Sequence, residues 1–162
     1  YFFDPDQTVT RAQFLTMAMS VAGLEDLEGA TLTGFSDDDA IPTWAKGAVS
    51  AALKAGVVQG SRSESGAPIF GAQETISRAE AAVMLDNLLE ITDVPVAVFS
   101  PDNGHWAAQA AANLSASGIF RGQAAGAVQL ADTLTMADAA EMLDGALDMM
   151  DARSSGSWLP WA

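Results

Sequence analysis

The 162-residue chain is acidic and rich in apolar residues, and its composition argues against several classes of function. Hydrophobic residues make up 49%, enough for one buried core, and no apolar run reaches the roughly 18 residues that suggest membrane insertion. Seven Lys and Arg against 21 Asp and Glu give a net charge of −14, which argues against nucleic-acid binding because the phosphate backbone requires a basic surface. With no Cys and only one histidine, His105, the chain lacks the residues for a thiolate or His-based metal site and for Ser-His-Asp catalysis.

A short phrase occurs three times and opens an apolar helical run each time. It begins with Thr or Ser and carries an amide or acid three residues later, a pattern that predicts an N-terminal capping box. The copies, termed the first, second and third phrase, are Thr10-Arg11-Ala12-Gln13, Ser77-Arg78-Ala79-Glu80 and Thr135-Met136-Ala137-Asp138. The residues behind each phrase repeat a packing stripe at helical spacing, which predicts three copies of one helix. The stripe comprises Met17, Met84 and Met142; Ala18, Leu85 and Leu143; Val21, Leu88 and Ala146; and Ala22, Leu89 and Leu147.

A Trp-Ala pair alternates with this phrase and begins a different helix. Trp44 and Trp106 are followed by small and apolar residues at identical offsets, and the runs end in Gly56 and Gly118, where left-handed helix C-caps are expected. Phe-Ser and acidic residues lead into both helices, at 35–39 and 99–102. Because aspartate near a helix N-terminus can cap the helix and favours its dipole, these carboxylates have a structural interpretation first.

The lead-in, the Trp helix, a glycine turn, a loop and the capped helix form one repeating unit. We predict that residues 1–24 are the second half of a first repeat, 35–91 a second repeat and 99–150 a third. Residues 151–162 are a tail in which Trp158 and Trp161 resemble the start of a further repeat. The order Phe, Asp, Trp-Ala, Gly, Phe-x-Pro-Asp, Thr-Arg-Ala-Glu, found over nearly the whole chain, resembles the S-layer homology repeat of bacterial cell-surface proteins.

This resemblance implies an all-α, pseudo-threefold helical bundle built from tandem helix-loop-helix repeats. It implies a non-catalytic module that anchors an exported protein at the extracellular surface of the cell wall. The residues themselves suggest no cofactor and no metal site beyond a weak surface Ca²⁺ contact. The implied partner is an acidic, often pyruvylated, secondary cell-wall polysaccharide bound in grooves between repeats, with other surface-layer subunits as further candidates. In the family, the Arg of the phrase, the Trp of the first helix and residues of the glycine turn line these grooves. The matching residues here are Arg11, Arg78, Trp44, Trp106 and, in the turn, Arg121.

The arginine of the phrase is the residue that helix capping does not explain. A cation at the first helical position opposes the helix dipole by about 0.3 to 1 kcal/mol, so Arg11 and Arg78 are unfavourable for helix stability alone. Each either pairs with a nearby carboxylate and braces two repeats or binds a ligand anion, and both roles can coexist. The family resemblance favours ligand binding, since a planar guanidinium suits the carboxylate of a pyruvate ketal.

The third phrase departs from the pattern because Met136 stands where the other two phrases have Arg. A methionine cannot donate to a carboxylate, so we expect simple packing there and no working groove of the family type. Arg121 could compensate in part, although a lone arginine on a turn is more often only solvated. The sequence therefore predicts two candidate grooves and one structural copy.

The tryptophans and the net charge each leave two interpretations open. A ring at a helix start commonly packs over the next turn as a hydrophobic staple, whereas the family places Trp44 and Trp106 with one face open to a sugar. Trp158 and Trp161 could plug the place left by a missing first helix. The net charge repels an anionic polysaccharide at long range, although screening beyond roughly 8 Å lets a local arginine dominate. A degenerate repeat domain, acting in protein–protein contacts or surface-layer assembly without glycan binding, is the rival function.

Overall fold

The computed structural model describes residues 4–58, 60–91, 106–120 and 130–154, and these ranges are mostly helical. They contain five α-helices: α1 (Arg11–Ala22), α2 (Thr43–Lys54), α3 (Arg78–Leu89), α4 (Ala108–Ala116) and α5 (Met136–Ser154). A 3-10 helix (Asp38–Ala40) precedes α2, and the short strands β1 (Ser61–Arg62) and β2 (Pro68–Ile69) form an antiparallel hairpin after it. The predicted all-α fold is confirmed.

The three phrases begin α1, α3 and α5, and each forms the predicted capping box. In the first phrase, Thr10 Oγ1 accepts from the Gln13 N–H at 3.2 Å, and Gln13 Oε1 accepts from the Thr10 N–H at 3.0 Å. The second and third phrases repeat both bonds. After α2 and α4, Gly56 and Gly118 have φ values of +75° and +77°, the left-handed conformation expected beyond a helix end. The sequence therefore predicted correctly both the capping boxes at the helix N-termini and the left-handed glycines after α2 and α4.

Three equivalent backbone hydrogen bonds close a ring about a pseudo-threefold axis. The Val9 N–H donates to Leu134 O at 3.2 Å, the Ile76 N–H to Val9 O at 2.9 Å, and the Leu134 N–H to Ile76 O at 2.9 Å. Each of these residues stands immediately before one phrase, and all three are 0% exposed. The phrases therefore dock on one another in a closed cycle, which gives the bundle its pseudo-threefold arrangement.

Backbone donors at the start of each capped helix extend this cycle. These N–H groups have no acceptor within their own helix and need one elsewhere. The first N–H of each helix donates to a carbonyl of another repeat at 2.8 to 2.9 Å: Arg11 to Glu74 O, Arg78 to Asp132 O and Met136 to Gln7 O. The next donors reach the carbonyls of Ala72, Leu130 and Pro5 in the same order, at 2.9 to 3.2 Å. All three phrases are thus held by the same backbone contacts, whichever side chain follows the cap.

The helices pack around this centre, with α1 against α2, α3 and α5, and α3 against α4. Most of the predicted stripe is buried or half-buried, as for Leu85 and Ala146 at 0% exposure. The stripe prediction was wrong for Leu147, which is 46% exposed, whereas the equivalent Leu89 of α3 is 1% exposed. Within the described ranges no helix covers α5 as α2 covers α1 and α4 covers α3, so Leu147 stays open to solvent.

The acidic lead-in to α2 does not cap the helix, contrary to the first interpretation. Pro42 occupies the N-cap position, and no side-chain hydrogen bond caps the helix there. Asp38 instead accepts from Lys46 Nζ at 2.7 Å, from Thr33 Oγ1 at 2.8 Å and from the Thr33 N–H at 2.7 Å. These bonds, that of Lys46 first, lower the pKa of Asp38 from 3.8 to about 2. The carboxylate ties the preceding loop to the helix.

Some sequence predictions lie outside the described residues. They concern the second lead-in at 99–102 and the tail at 155–162 with its two tryptophans. The repeat boundaries also stay predictions. Among the described helices, none has the length and apolar character needed to cross a membrane.

Candidate functional site

A groove of about 390 Å³ opens where the start of α1 meets α3, the turn after α2 and the segment before α4. It is termed the first groove. Its lining residues include Arg11, Val57, Val58, Gly60, Phe70, Glu74, Glu80, Val83, Asn87 and Trp106. The groove thus combines side chains that are widely separated along the chain.

Arg11 is the cation of the first groove, and its guanidinium is held from two sides. Nε donates to Phe70 O at 2.8 Å, Nη1 pairs with Glu80 Oε2, and the guanidinium carbon lies 5.2 Å from the centre of the Phe70 ring. The side chain is 12% exposed, and that of Glu80 is 33% exposed. A guanidinium carries five N–H donors. Two of these are used, so three of the Arg11 donors have no hydrogen-bond partner within the described ranges.

The Phe70 backbone that accepts from Arg11 is itself fixed by Asp37. The two carboxylate oxygens of Asp37 accept from the Phe70 N–H at 2.9 Å and the Gly71 N–H at 2.8 Å. The Phe70 ring lies 5.6 Å from that of Phe35 and is 1% exposed. Sequence reasoning missed this role of Asp37, because the partners are 33 and 34 residues away and leave no local signal.

The wall formed by the turn after α2 depends on a glycine and an asparagine. At Gly60, with φ +71°, an added Cβ would lie 2.3 Å from Ile69 O and 2.7 Å from the Phe35 ring. Only glycine fits this close approach. On the other side, Asn87 Nδ2 donates to Val57 O at 3.2 Å and spaces the turn from α3. These contacts hold the groove open between helix and turn.

The two candidate tryptophans are both exposed, but they lie in different places. Trp106 lines the first groove, is 67% exposed and stands two residues before α4. Trp44 is the second residue of α2 and is 58% exposed. Neither ring is buried as a staple would be, and Trp44 lines neither of the grooves formed by described residues. Arg11 is therefore accompanied by Trp106, not by Trp44.

Arg78 lies at the start of α3, in the position equivalent to Arg11. Its Nη2 is 3.1 Å from Asp138 Oδ2, and its Nε is buried with no hydrogen-bond partner among the described residues. Val128, which corresponds to Phe70, lies outside those residues. The groove here, termed the second groove, has a volume of about 10 Å³. Its lining residues are Arg78, Ile119, Phe120, Leu134, Asp138, Glu141 and Met142.

The side-chain contact between successive phrases is termed a junction, and the three junctions differ. The first pairs Arg11 with Glu80 and the second pairs Arg78 with Asp138. In the same cyclic order, the third junction brings Met136 to the position of the cation and Gln13 to that of the acid, so it has no ion pair. Met136 is partly buried against the core. Arg121 lies outside the described residues, so its compensating role stays a prediction.

Comparison with known proteins places this architecture in a family. Residues 34–82 match the S-layer homology domain. The chain is 32% identical over 142 residues, 82% of its length, to a surface-layer 125 kDa protein of Lysinibacillus sphaericus. It is 27% identical over 154 residues, 90% of its length, to an amylopullulanase of Thermoanaerobacterium thermosulfurigenes. It is 34% identical over 91 residues, 53% of its length, to the exoglucanase XynX of Acetivibrio thermocellus.

The matched region is a small part of each of these relatives. It spans 12% of the surface-layer protein and 8% of each of the two enzymes. A region that occurs both in a surface-layer protein and in two different enzymes is a shared module, separate from any one catalytic activity. The family match and the similar surface-layer protein, together with the closed cycle of capped helices, show that the chain belongs to the S-layer homology family of cell-surface, cell-wall anchoring modules.

Proposed function

We propose that the first groove binds an acidic, pyruvylated secondary cell-wall polysaccharide and that this contact anchors the protein. Arg11 would hold the carboxylate of a pyruvate ketal, and Trp106 would cover an apolar face of the sugar ring. The observation that carries the proposal is an arginine with unused donors beside an exposed tryptophan in a groove of about 390 Å³. Arg78 and Trp44 do not line this groove.

The size and enclosure of the first groove support a saccharide ligand. Sites for small ligands typically measure about 300 to 1,000 Å³, so this groove suits a short segment of a glycan. One wall is apolar, with Val57 and Val83, while Asn87 and Ser61 bring polar side chains. A sugar presents both kinds of surface, so the mixed lining fits its chemistry.

The charges around Arg11 set a condition on binding. Glu74 and Glu80 also line the groove, so a ligand carboxylate must share Arg11 with Glu80. The planar fork can do this, because its two Nη groups offer separate edges. A hydrogen bond to a charged group contributes about 1.5 to 3 kcal/mol, while repulsion from distant carboxylates is screened beyond roughly 8 Å. The net charge of −14 therefore acts on a bound ligand mainly through the two near carboxylates of Glu74 and Glu80.

The test uses residues that the chain itself tolerates at equivalent positions. Arg11→Met places at the first junction the residue found at 136, and Glu80→Gln places there the amide found at 13. Arg11→Met should weaken binding of purified wall polysaccharide at least tenfold, which corresponds to losing one charged hydrogen bond of about 1.4 kcal/mol or more. Isothermal titration calorimetry measures the affinity, and circular dichroism checks the fold.

Glu80→Gln is the matched control, because it removes the same ion pair but keeps Arg11 and the capping acceptor. It should retain or improve binding, since Arg11 is then free of its carboxylate partner. Trp106→Ala should weaken binding roughly three- to tenfold through the lost ring contact. Equal losses in Arg11→Met and Glu80→Gln would mean that the ion pair serves the fold only, and full binding by Arg11→Met would refute the proposal.

Surface-layer assembly is a second candidate, favoured by exposed apolar side chains along α2. Leu27, Leu32 and Trp44 are 43%, 77% and 58% exposed. The Leu27 N–H donates to Gly47 O and Leu32 O accepts from Ser50 Oγ, so both segments lie against α2. Such a patch suits contact with another surface subunit. Sedimentation with cell-wall sacculi, before and after extraction of the polysaccharide, separates the two functions, because only glycan binding is lost on extraction.

A further inference from the structure

We infer that packing closes the second groove among the described residues, so that the first groove is the one open polysaccharide site in that part of the chain and Arg78 serves as a brace between α3 and α5. The number of bound polysaccharide segments rests on the proposed function of the first groove. The closure of the second groove does not depend on that function. Both grooves are formed at an arginine that begins a capped helix and at a turn that follows a Trp helix. The first groove measures about 390 Å³, and the part of the second groove that described residues line measures about 10 Å³. The positions 122, 123 and 128, equivalent to Gly60, Ser61 and Phe70, lie outside the described residues.

The first cause of the closure is Gly145 on α5, at the position equivalent to Asn87 on α3. A Cβ on Gly145 would lie 2.9 Å from Ile119 Cα and 3.4 Å from Gly118 O, so the helix and the turn are in close backbone contact. In the first groove, the Asn87 side chain lies between the helix and the turn and bonds to Val57 O. The absent side chain lets α5 and its turn approach each other.

The second cause is the size of the residues that line this contact. Phe120 follows Trp106 at the same spacing as Val58 follows Trp44, so these two residues are equivalent. Glu141 and Val83 are equivalent because each lies at the same distance from the start of its phrase. Phe120 is 8% exposed, so its ring is buried where the first groove has a smaller side chain. Glu141 brings a longer side chain and a negative charge to the rim, where Val83 is apolar.

The remaining volume excludes a ligand. A single water needs roughly 10 to 15 Å³, so the space of about 10 Å³ between α5 and the described part of its turn cannot hold a sugar or a carboxylate. Charge does not distinguish the described parts of the two grooves, since the described residues that line each include one arginine and two carboxylates: Arg11 with Glu74 and Glu80, and Arg78 with Asp138 and Glu141. The packing of the turn against the helix therefore decides which groove is open.

The experiment exchanges the residues of the second cause between the grooves in the full chain and leaves Gly145 and Asn87 unchanged. The opening variant is Phe120→Val with Glu141→Val, and the closing variant is Val58→Phe with Val83→Glu. Crystal structures of the wild type and both variants measure the groove volumes without any ligand. Titration calorimetry with a methyl hexopyranoside that carries a pyruvate ketal measures stoichiometry and affinity.

The wild type should have an open first groove, a closed second groove and one bound glycoside. The closing variant should lose at least tenfold in affinity, and the opening variant should show a larger second groove. If the opening variant binds more than one glycoside per chain, adding Arg78→Met should return the stoichiometry to one. A wild-type crystal structure with two open grooves, or two sites in the wild type, would overturn the inference. If the wild type binds no glycoside, the proposed function fails, and the crystal structures alone then decide whether the second groove is closed.

Discussion

The first and third junctions differ in every charged side chain yet share the same backbone contacts. At the first junction, the Arg11 N–H donates to Glu74 O at 2.9 Å and its guanidinium pairs with Glu80. At the third, the Met136 N–H donates to Gln7 O at 2.8 Å with no ion pair. Docking of the phrases therefore does not require the arginine. This comparison supports a role for Arg11 beyond the fold, because a neutral junction closes the same cycle.

The largest effect on stability should come from the contact between Gly145 and its turn, which distinguishes the second junction from the first. Gly145→Ala places a Cβ 2.9 Å from a backbone atom, which costs up to about 3 kcal/mol, offset by about 1 kcal/mol of helix propensity. We expect a net loss of about 2 kcal/mol in the free energy of unfolding by urea. Asn87→Ala, which deletes a side chain at the equivalent place, should cost about 1 kcal/mol through its lost hydrogen bond. A neutral Gly145→Ala would argue against close packing at this turn.

The next effect compares the two arginine braces. Arg11→Met removes an ion pair, a hydrogen bond and a ring contact, and we expect a loss of about 1.5 kcal/mol after discounting for the exposure of Glu80. Arg78→Met removes one ion pair from a guanidinium whose Nε has no partner among the described residues, so about half that loss is expected. Thermal unfolding in low and high salt measures both. The comparison fails if Arg78→Met is the more destabilising change.

A smaller effect should follow from building an ion pair at the neutral junction. Met136→Arg and Gln13→Glu together reproduce the residues of the first junction. We expect a favourable coupling energy of about 0.5 to 1 kcal/mol in a double-mutant cycle, weaker at high salt. Gln13→Glu alone keeps the capping box, so it serves as the reference for the pair. Zero coupling would show that the third junction is not equivalent in geometry to the first.

The smallest effect concerns the loop that leads into the first groove. The pKa of Asp38 is lowered in the folded chain to about 2, so the contribution of its bonds to stability is present above pH 3.8 and is lost as the pH falls through about 2. Asp38→Asn should therefore be less stable than the wild type at pH 6, and the difference should shrink between pH 4 and pH 2. Urea unfolding across this range measures it, and a constant difference would contradict the lowered pKa.

Local interactions account for most of what the sequence predicted correctly. The capping boxes, the left-handed glycines at 56 and 118 and the packing stripe apart from Leu147 all depend on residues within one or two helical turns, so a single sequence contains their signals. The aspartates of the first lead-in were misread because the same residue type that caps a helix can also bind a distant backbone. Asp37 binds N–H groups 33 and 34 residues away, which local spacing does not reveal.

By itself, the sequence determined the repeating helices, their ends and the loss of one arginine from the third phrase. Only the tertiary structure decided that Arg11 shares a groove with Trp106, that Glu80 and Asp138 both cap a helix and brace a neighbour, and that the two arginine grooves differ in volume. The physical reason is distance along the chain, since Arg11 and Glu80 are 69 residues apart. An absent side chain at Gly145 closes one groove, and that effect exists only when α5 and its turn are in contact.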